Sequence, residues 1–456
     1  MMAESAVHVD LAIDTSALGN TIEPSFTGLS YEQAQMQNPA FFAGTNKQLV
    51  GFFKTLGSQG VLRIGGNTSA MTFWSPNAKP SKADMHLTSG PNRGRHRLRP
   101  MMITPDSVRR LADFLDSTGW TLIYGLNLRH GKPENVADEA AFVMETIGDR
   151  VVAFQLGNEP DLFARGVYTV DDYMRQWAQF YKAIRARVPN APFAGPDTAG
   201  IVSWLMPFAQ RFKQEVKFIS SHYYAEGPPT NPAMTIARLL EPNPRLEKEI
   251  AAAKQVREAT GLKFRLTETN SCYQGGKRGV SNAFASALWA GDLMFQEAAT
   301  GSIGINFHGG GYGWYAPIVG TNEAGFLARP EYYGMLLFTQ AGPGRLVGAK
   351  LSNAEQAPLL TAYAVRGENG RVHVALFNKN LDKDVVVSIS GSGGASATAL
   401  RLEAPRASDA NDVTFGGSPV GIDGRWFPQV EEHVPGRNGL YTLPMRKATG
   451  ALVKFA

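Results

Sequence analysis

Two glutamates stand where carboxyl groups could do chemistry. Glu159 lies in the run Phe154-Gln155-Leu156-Gly157-Asn158-Glu159-Pro160, and Glu268 in Phe264-Arg265-Leu266-Thr267-Glu268-Thr269-Asn270. Each follows directly on a short apolar segment. Two carboxyl groups flanking a sugar–oxygen bond are the minimal equipment for glycoside hydrolysis: one protonates the leaving oxygen, the other attacks the anomeric carbon or activates water. A single glutamate is more often a solvated surface residue. The second Asn-Glu pair, Asn322-Glu323, sits between Gly320-Thr321 and Ala324-Gly325 and reads as an ordinary loop. What sets Glu159 and Glu268 apart is that both close apolar runs of one repeating series.

Other chemistries find no support in the residues. Cys272 is the lone cysteine, so neither an intrachain disulfide nor a Cys-rich zinc site is available. The eight histidines are scattered without a His-Glu-x-x-His spacing, and no Gly-x-Ser-x-Gly elbow offers a serine nucleophile. No metal and no cofactor is expected.

The elements that must position the pair alternate between strand and helix. Strand candidates are Phe26–Tyr31, Val61–Ile64, Thr121–Leu126, Val151–Leu156, Pro192–Gly195, Lys217–Ser221, Lys263–Thr267 and Ile303–Phe307. Amphipathic stretches such as Pro105–Ser117, Val170–Arg187, Leu246–Thr260 and Asn282–Ala299 lie between them. Eight such units predict a (β/α)8 TIM barrel over residues 21–340, with its chemistry at the C-terminal ends of the strands. A doubly wound open sheet competes, but no Gly-rich phosphate turn follows the early strands. Glu159 then ends strand four and Glu268 strand seven of one barrel. Beyond residue 340, alternating runs such as Arg371–Phe377 and Val385–Ser390 predict an all-β sandwich over 341–456, and residues 1–20 could add a strand to it.

The chain has 456 residues, 43% hydrophobic and 19% charged, which describes a well-buried globular protein. No apolar run approaches 18 residues, so no membrane-spanning helix is expected. The first ten residues lack the apolar core of a signal peptide. Either the protein works in the cytoplasm, or a cleaved signal once preceded it and its place is secreted or periplasmic. A net charge of +5 suits an acidic partner. With the paired glutamates, that partner reads as a carbohydrate; no nucleic acid, membrane or obligatory protein partner is expected. The connection from Gly66 to Pro105 is far longer than a usual barrel loop and carries Arg93, Arg95, Arg97 and Arg99. If extended, all four share a face. They form either a solvated basic loop or a subsite for an anionic polymer, gripping sulfates or carboxylates.

Six segments carry a family resemblance: Gly28-Leu-Ser-Tyr-Glu32, Arg63-Ile-Gly-Gly-Asn67, Gly157-Asn-Glu-Pro160, Ser221-His-Tyr-Tyr224, Glu268-Thr-Asn-Ser-Cys-Tyr-Gln-Gly-Gly276 and His308-Gly-Gly-Gly-Tyr312. Together they resemble the clan A retaining glycosidases, and among them glycoside hydrolase family 79, the β-glucuronidases and heparanases. The resemblance covers nearly the whole chain. It implies that Glu159 is the general acid/base and Glu268 the nucleophile, with Asn158 donating to the sugar 2-hydroxyl. It implies a tyrosine of Tyr223-Tyr224 holding the nucleophile, and favours Tyr223; His222 beside them reads as a rim histidine satisfied by its neighbours. For the sugar carboxylate it implies Tyr273, the backbone around Gln274 and Gly275, and Gly311 with Tyr312, while Glu32, Gly66 and Asn67 line the far side. The expected substrate is a glucuronate-containing glycosaminoglycan such as heparan sulfate, cut with retention. The alternatives are an exo-β-glucuronidase acting on small glycans or conjugates, and a catalytically silent polysaccharide-binding protein.

Overall fold

The computed structural model describes residues 6–77, 101–164, 166–310 and 313–456. The arginines expected at 93, 95, 97 and 99, and Gly311 and Tyr312, lie outside the described residues.

Eight parallel strands close into a barrel. In chain order they are Thr27–Glu32, Val61–Gly65, Thr121–Leu126, Val151–Leu156, Phe193–Thr198, Phe218–Glu226, Lys263–Cys272 and Ile305–Gly309, called barrel strands one to eight below. Strand eight closes on strand one, with Phe307 opposite Leu29 and His308 opposite Ser30. The strands are buried on both faces, which is why runs such as Thr121-Leu-Ile-Tyr-Gly-Leu126 carry almost no polar alternation. Helices cover the outside. Pro105–Thr118 starts from a Thr104 capping box and stops at Gly119, whose φ of 82° is the left-handed conformation that glycine tolerates.

Among the described residues, two short two-stranded sheets stand apart, and the other strands outside the barrel form one eleven-stranded sheet curled over its own apolar face. Val9, Leu11, Val374, Val387, Leu443 and Val453 belong to that second core. The strand Val7–Ile22 runs antiparallel to Gly344–Ser352 on one side and parallel to Val385–Ser390 on the other. This sheet grips the helix Ala285–Thr300, which follows strand seven. Tyr363 stacks on Phe295 at 4.9 Å, and Asp292 accepts from the hydroxyls of Thr361 and Tyr363, both at 2.7 Å.

Four glutamates on the barrel helices, Glu139, Glu249, Glu297 and Glu331, are fully buried. Tyr124 donates to Glu139 at 2.8 Å, and Ser221 donates to Glu249. Among the described residues, Glu297 Oε1 has no hydrogen-bond partner. Burial pushes Glu139 and Glu249 up to about 7 and Glu297 up to about 8.

Candidate active site

The C-terminal ends of the strands open into a cleft of about 1090 Å³ lined by Glu159, Glu268, Glu32, Tyr224, Tyr273 and His308, among others. Glu159 leaves strand four in a left-handed conformation, φ 48°, which costs a non-glycine residue energy. Its N–H donates to the Asp197 carbonyl at 3.0 Å, and that bond fixes the turn. Asp197, at the end of strand five, is itself left-handed with φ 62°.

Arg63, in the middle of strand two, organises the floor and is 1% exposed. Its guanidinium donates to Glu268 and Asp197 at 2.6 Å each, to Asn158 at 2.7 Å, to Gln155 at 2.9 Å and to Ser30 at 3.0 Å. Burial disfavours the charge, but the two carboxylates more than reverse that, so Arg63 stays a cation. Because Asn158 Oδ1 is taken by Arg63, the amide nitrogen is the end left over; it lies 3.5 Å from Asn67 Oδ1 at the cleft wall.

Glu268 accepts from Arg63 on one oxygen and from the Tyr224 hydroxyl on the other at 2.8 Å. The resemblance favoured Tyr223 for that bond, and the structure gives it to Tyr224. In a strand, side chains two apart share a face. His222 and Tyr224 point into the cleft with Glu268, while the Tyr223 side chain joins the core and its hydroxyl has no partner among the described residues. Burial alone would raise Glu268; His308, His222 and Arg63 together bring it down to about 2. The Glu268 carboxyl is therefore held in its ionised form by the cations around it.

His222 is no simple rim histidine. It is 1% exposed, with Nδ1 3.0 Å from Glu159 Oε1 and 3.9 Å from Glu268 Oε1. Nε2 lies 3.1 Å from Asp197 Oδ1, an ionic contact poorly aligned for a hydrogen bond. Burial opposes its charge; Asp197 and then Glu268 overcome that and hold His222 up to about 10. Glu159, His222 and Glu268 bring one ligand-type atom each within 4.8 Å of one another. With His222 cationic, the imidazolium itself supplies the positive charge that a metal would bring there.

On the opposite wall, Glu32 accepts from the Thr68 N–H at 2.7 Å and the Asn67 N–H at 3.2 Å. Gly66 has φ 68°, and a Cβ there would meet the Glu32 carboxyl carbon at 2.6 Å. This position requires glycine. His308 lies 3.6 Å from Glu268 and 3.7 Å from Glu32, and both carboxylates keep its proton bound against the effect of burial.

Of the expected residues, Glu32, Asn67, Glu159, Tyr224, Glu268, Tyr273, Gln274 and Gly275 line this cleft, while Tyr223 borders it with its side chain turned into the core. Gly66 and Asn158 stand directly behind it. Arg63, Asp197, His308 and Tyr315 were not singled out from the sequence. The signal for Arg63 was present: a charge inside Val61-Leu62-Arg63-Ile64, a strand otherwise apolar, demands buried partners.

No family model matches the chain. It is similar to a β-glucuronidase of Aspergillus niger, 25% identical over 431 residues, covering 82% of this chain and 75% of that protein. It is also similar to a β-glucuronidase of Neurospora crassa, 23% identical over 427 residues and covering 81% and 74%. The chain is a glycoside hydrolase. Its fold is that of clan A. A 4-O-α-L-rhamnosyl-β-D-glucuronidase from Fusarium oxysporum superposes with a TM-score of 0.74 at 18% identity, covering 97% of this chain and 100% of that one. A family 51 arabinofuranosidase from Xanthomonas axonopodis gives 0.71 at 15%, covering 99% and 100%. Glu159 and Glu268, the pair expected to react, both line the cleft of this glycoside hydrolase, and with the glucuronidase relatives the reading as a silent polysaccharide binder falls away.

Proposed function

We propose that this enzyme is a retaining β-glucuronidase. The observation that carries the reading is the loop after strand seven, beside Glu268. Gln274, Gly275 and Gly276 have φ of 63°, 88° and 84° in succession. Among the described residues, the N–H groups of Gln274 and Gly275 have no acceptor, and with Tyr273 both residues line the cleft. Such neutral donors suit the carboxylate of a uronic acid without setting a cation against the nucleophile. The two fungal relatives, named as β-glucuronidases, support the same sugar.

The chemistry follows from the charges. Glu159 gives its proton to the glycosidic oxygen while the Glu268 carboxylate attacks the anomeric carbon from the other face. Water then displaces Glu268 from the glycosyl-enzyme, with Glu159 taking the proton. An oxygen of each carboxyl group lies within 4.8 Å of the other, which suits the short separation of retaining enzymes rather than the roughly 6.5–9.5 Å of inverting ones. The nitrogen end of Asn158 donates to the 2-hydroxyl.

For the rest of the substrate, we propose a heparanase-like preference for glucuronate-containing glycosaminoglycan such as heparan sulfate. Arg245 and Lys248, exposed cations lining the same cleft, support an anionic chain. A second reading, exo-action on terminal glucuronate of smaller glycans, uses the same carboxylate pair and the same neutral donors around Gln274 and Gly275. Digestion of defined heparan-type oligosaccharides separates the two by whether internal or terminal bonds break first. Comparing aryl glucuronides with aryl glucosides tests the sugar itself. Loss of two or three charge-assisted bonds should cost the glucoside about 10²–10⁴-fold in kcat/KM. Equal cleavage of both would replace this reading with a neutral-sugar glycosidase.

A further inference from the structure

We propose that Asp197, whose side chain does not line the cleft, governs proton delivery by Glu159 through His222. The inference rests on the glucuronidase reading only for the choice of substrates. Asp197 is 1% exposed and packs against Arg63, Gln155, Thr267 and His222 behind the carboxylate pair. One oxygen pairs with Arg63 at 2.6 Å; the other accepts from Gln155 at 2.5 Å and Thr267 at 2.6 Å, and faces His222 Nε2 at 3.1 Å. Its carbonyl also accepts the Glu159 N–H. The same residue therefore sets the backbone of the acid and the charge of the histidine against the acid.

His222 is faced by Asp197 from strand five, Glu159 from strand four and Glu268 from strand seven, with Asp161 and Glu249 at longer range. Glu268 is occupied by Arg63 and Tyr224. Asp197 is thus the first of the anions, with Glu268 behind it, that keep a proton on both ring nitrogens, and Nδ1–H then points at Glu159 Oε1. When Glu159 passes its proton to the glycosidic oxygen, the C–O bond breaks and its electron pair stays on that oxygen. Glu268 forms the new bond to the anomeric carbon, and Glu159 becomes a carboxylate against the imidazolium. Without Asp197 the hold on the His222 proton weakens, and that developing anion loses part of its counter-charge. Asp197 is a positioning residue: its effect should scale with how much proton the leaving group needs.

The test is the leaving-group dependence of Asp197→Asn on a series of aryl glucuronides. For dinitrophenyl, which leaves almost unaided, the fall in kcat/KM should be a few-fold; for phenyl it should reach about 100-fold. In a His222→Gln background, Asp197→Asn should add no further steepening. A uniform penalty across the series, as a merely structural role would give, overturns the proposal. A second measurement needs no variant: 15N-histidine spectra of the wild-type enzyme at pH 7 should show His222 protonated on both nitrogens, and a neutral ring overturns the proposal too. If no glucuronide is turned over, the functional reading fails, while the 15N result still decides the state of His222.

Discussion

Raising the pH from 5 to 7 should destabilise this protein, and the buried helix glutamates set the size of the effect. Glu139 and Glu249 are held up to about 7 and Glu297 to about 8, chiefly by burial, against about 4.3 in an unfolded chain. Between those values the folded state keeps a proton that the unfolded state has lost. Each group therefore contributes stability at low pH that declines by about 1.4 kcal/mol per pH unit as the pH rises toward its folded value. Over two units the three groups sum to about 3–7 kcal/mol, a large part of an ordinary folding free energy. Asp161, held up to about 6, and Glu331, which burial raises well above the ordinary carboxylate range, act with the same sign. His222, held up to about 10, joins only above about pH 6.5, where the unfolded histidine loses its proton. Glu268, Asp197 and Glu32 have lowered values, are ionised in both states across this window, and contribute no slope. Denaturant unfolding at pH 5, 6 and 7, followed by tryptophan fluorescence, measures the trend directly. Glu297→Gln has no proton to lose and should flatten the slope by about 1.4 kcal/mol per unit. Stability that rises from pH 5 to 7, or a Glu297→Gln slope identical to wild type, refutes the reasoning.

Three further outcomes follow from the site. Glu268→Gln should abolish turnover of every substrate, whereas Glu159→Gln should spare activated aryl glucuronides; steady-state rates on both substrate classes distinguish the roles. Tyr224→Phe removes a charge-assisted bond to the nucleophile and should lower kcat/KM about 10–100-fold, while Tyr223→Phe should stay within about threefold. Arg63→Lys keeps a charge but loses the fork that joins Glu268, Asp197 and Asn158. It should cost about 3–5 kcal/mol of stability in denaturant titrations, and an unchanged midpoint would show that the fork carries no weight.

Strands three and four were readable to the residue, because Thr121–Leu126 and Val151–Leu156 are apolar and then turn. Strands five, six and seven were expected to stop at Gly195, Ser221 and Thr267, but continue to Thr198, Glu226 and Cys272. The missing pieces hold Asp197, His222 and Glu268, polar residues that satisfy one another inside the barrel mouth instead of meeting water. Polarity normally marks a strand's end; here it marks the place where chemistry begins. The carboxylate pair was legible because both glutamates close apolar runs of one repeating strand series. Asp197 was not, since after Gly195-Pro196 it reads as a turn. Choosing between Tyr223 and Tyr224 needed the strand's facing, which adjacent tyrosines do not reveal.

The strand Val7–Ile22 is made before the barrel and paired only after it. Both of its neighbours, Gly344–Ser352 and Val385–Ser390, leave the ribosome only after the whole barrel has been synthesised. Until then its apolar side, with Val9, Leu11 and Ile13, has no sheet to enter, and both of its edges offer unpaired backbone groups. The barrel can close within its own span of chain, but the second core waits for a contact more than three hundred residues apart. Nascent chains halted before residue 344 should therefore carry an open-edged strand and depend on chaperones during that interval, whereas chains released past residue 390 should not.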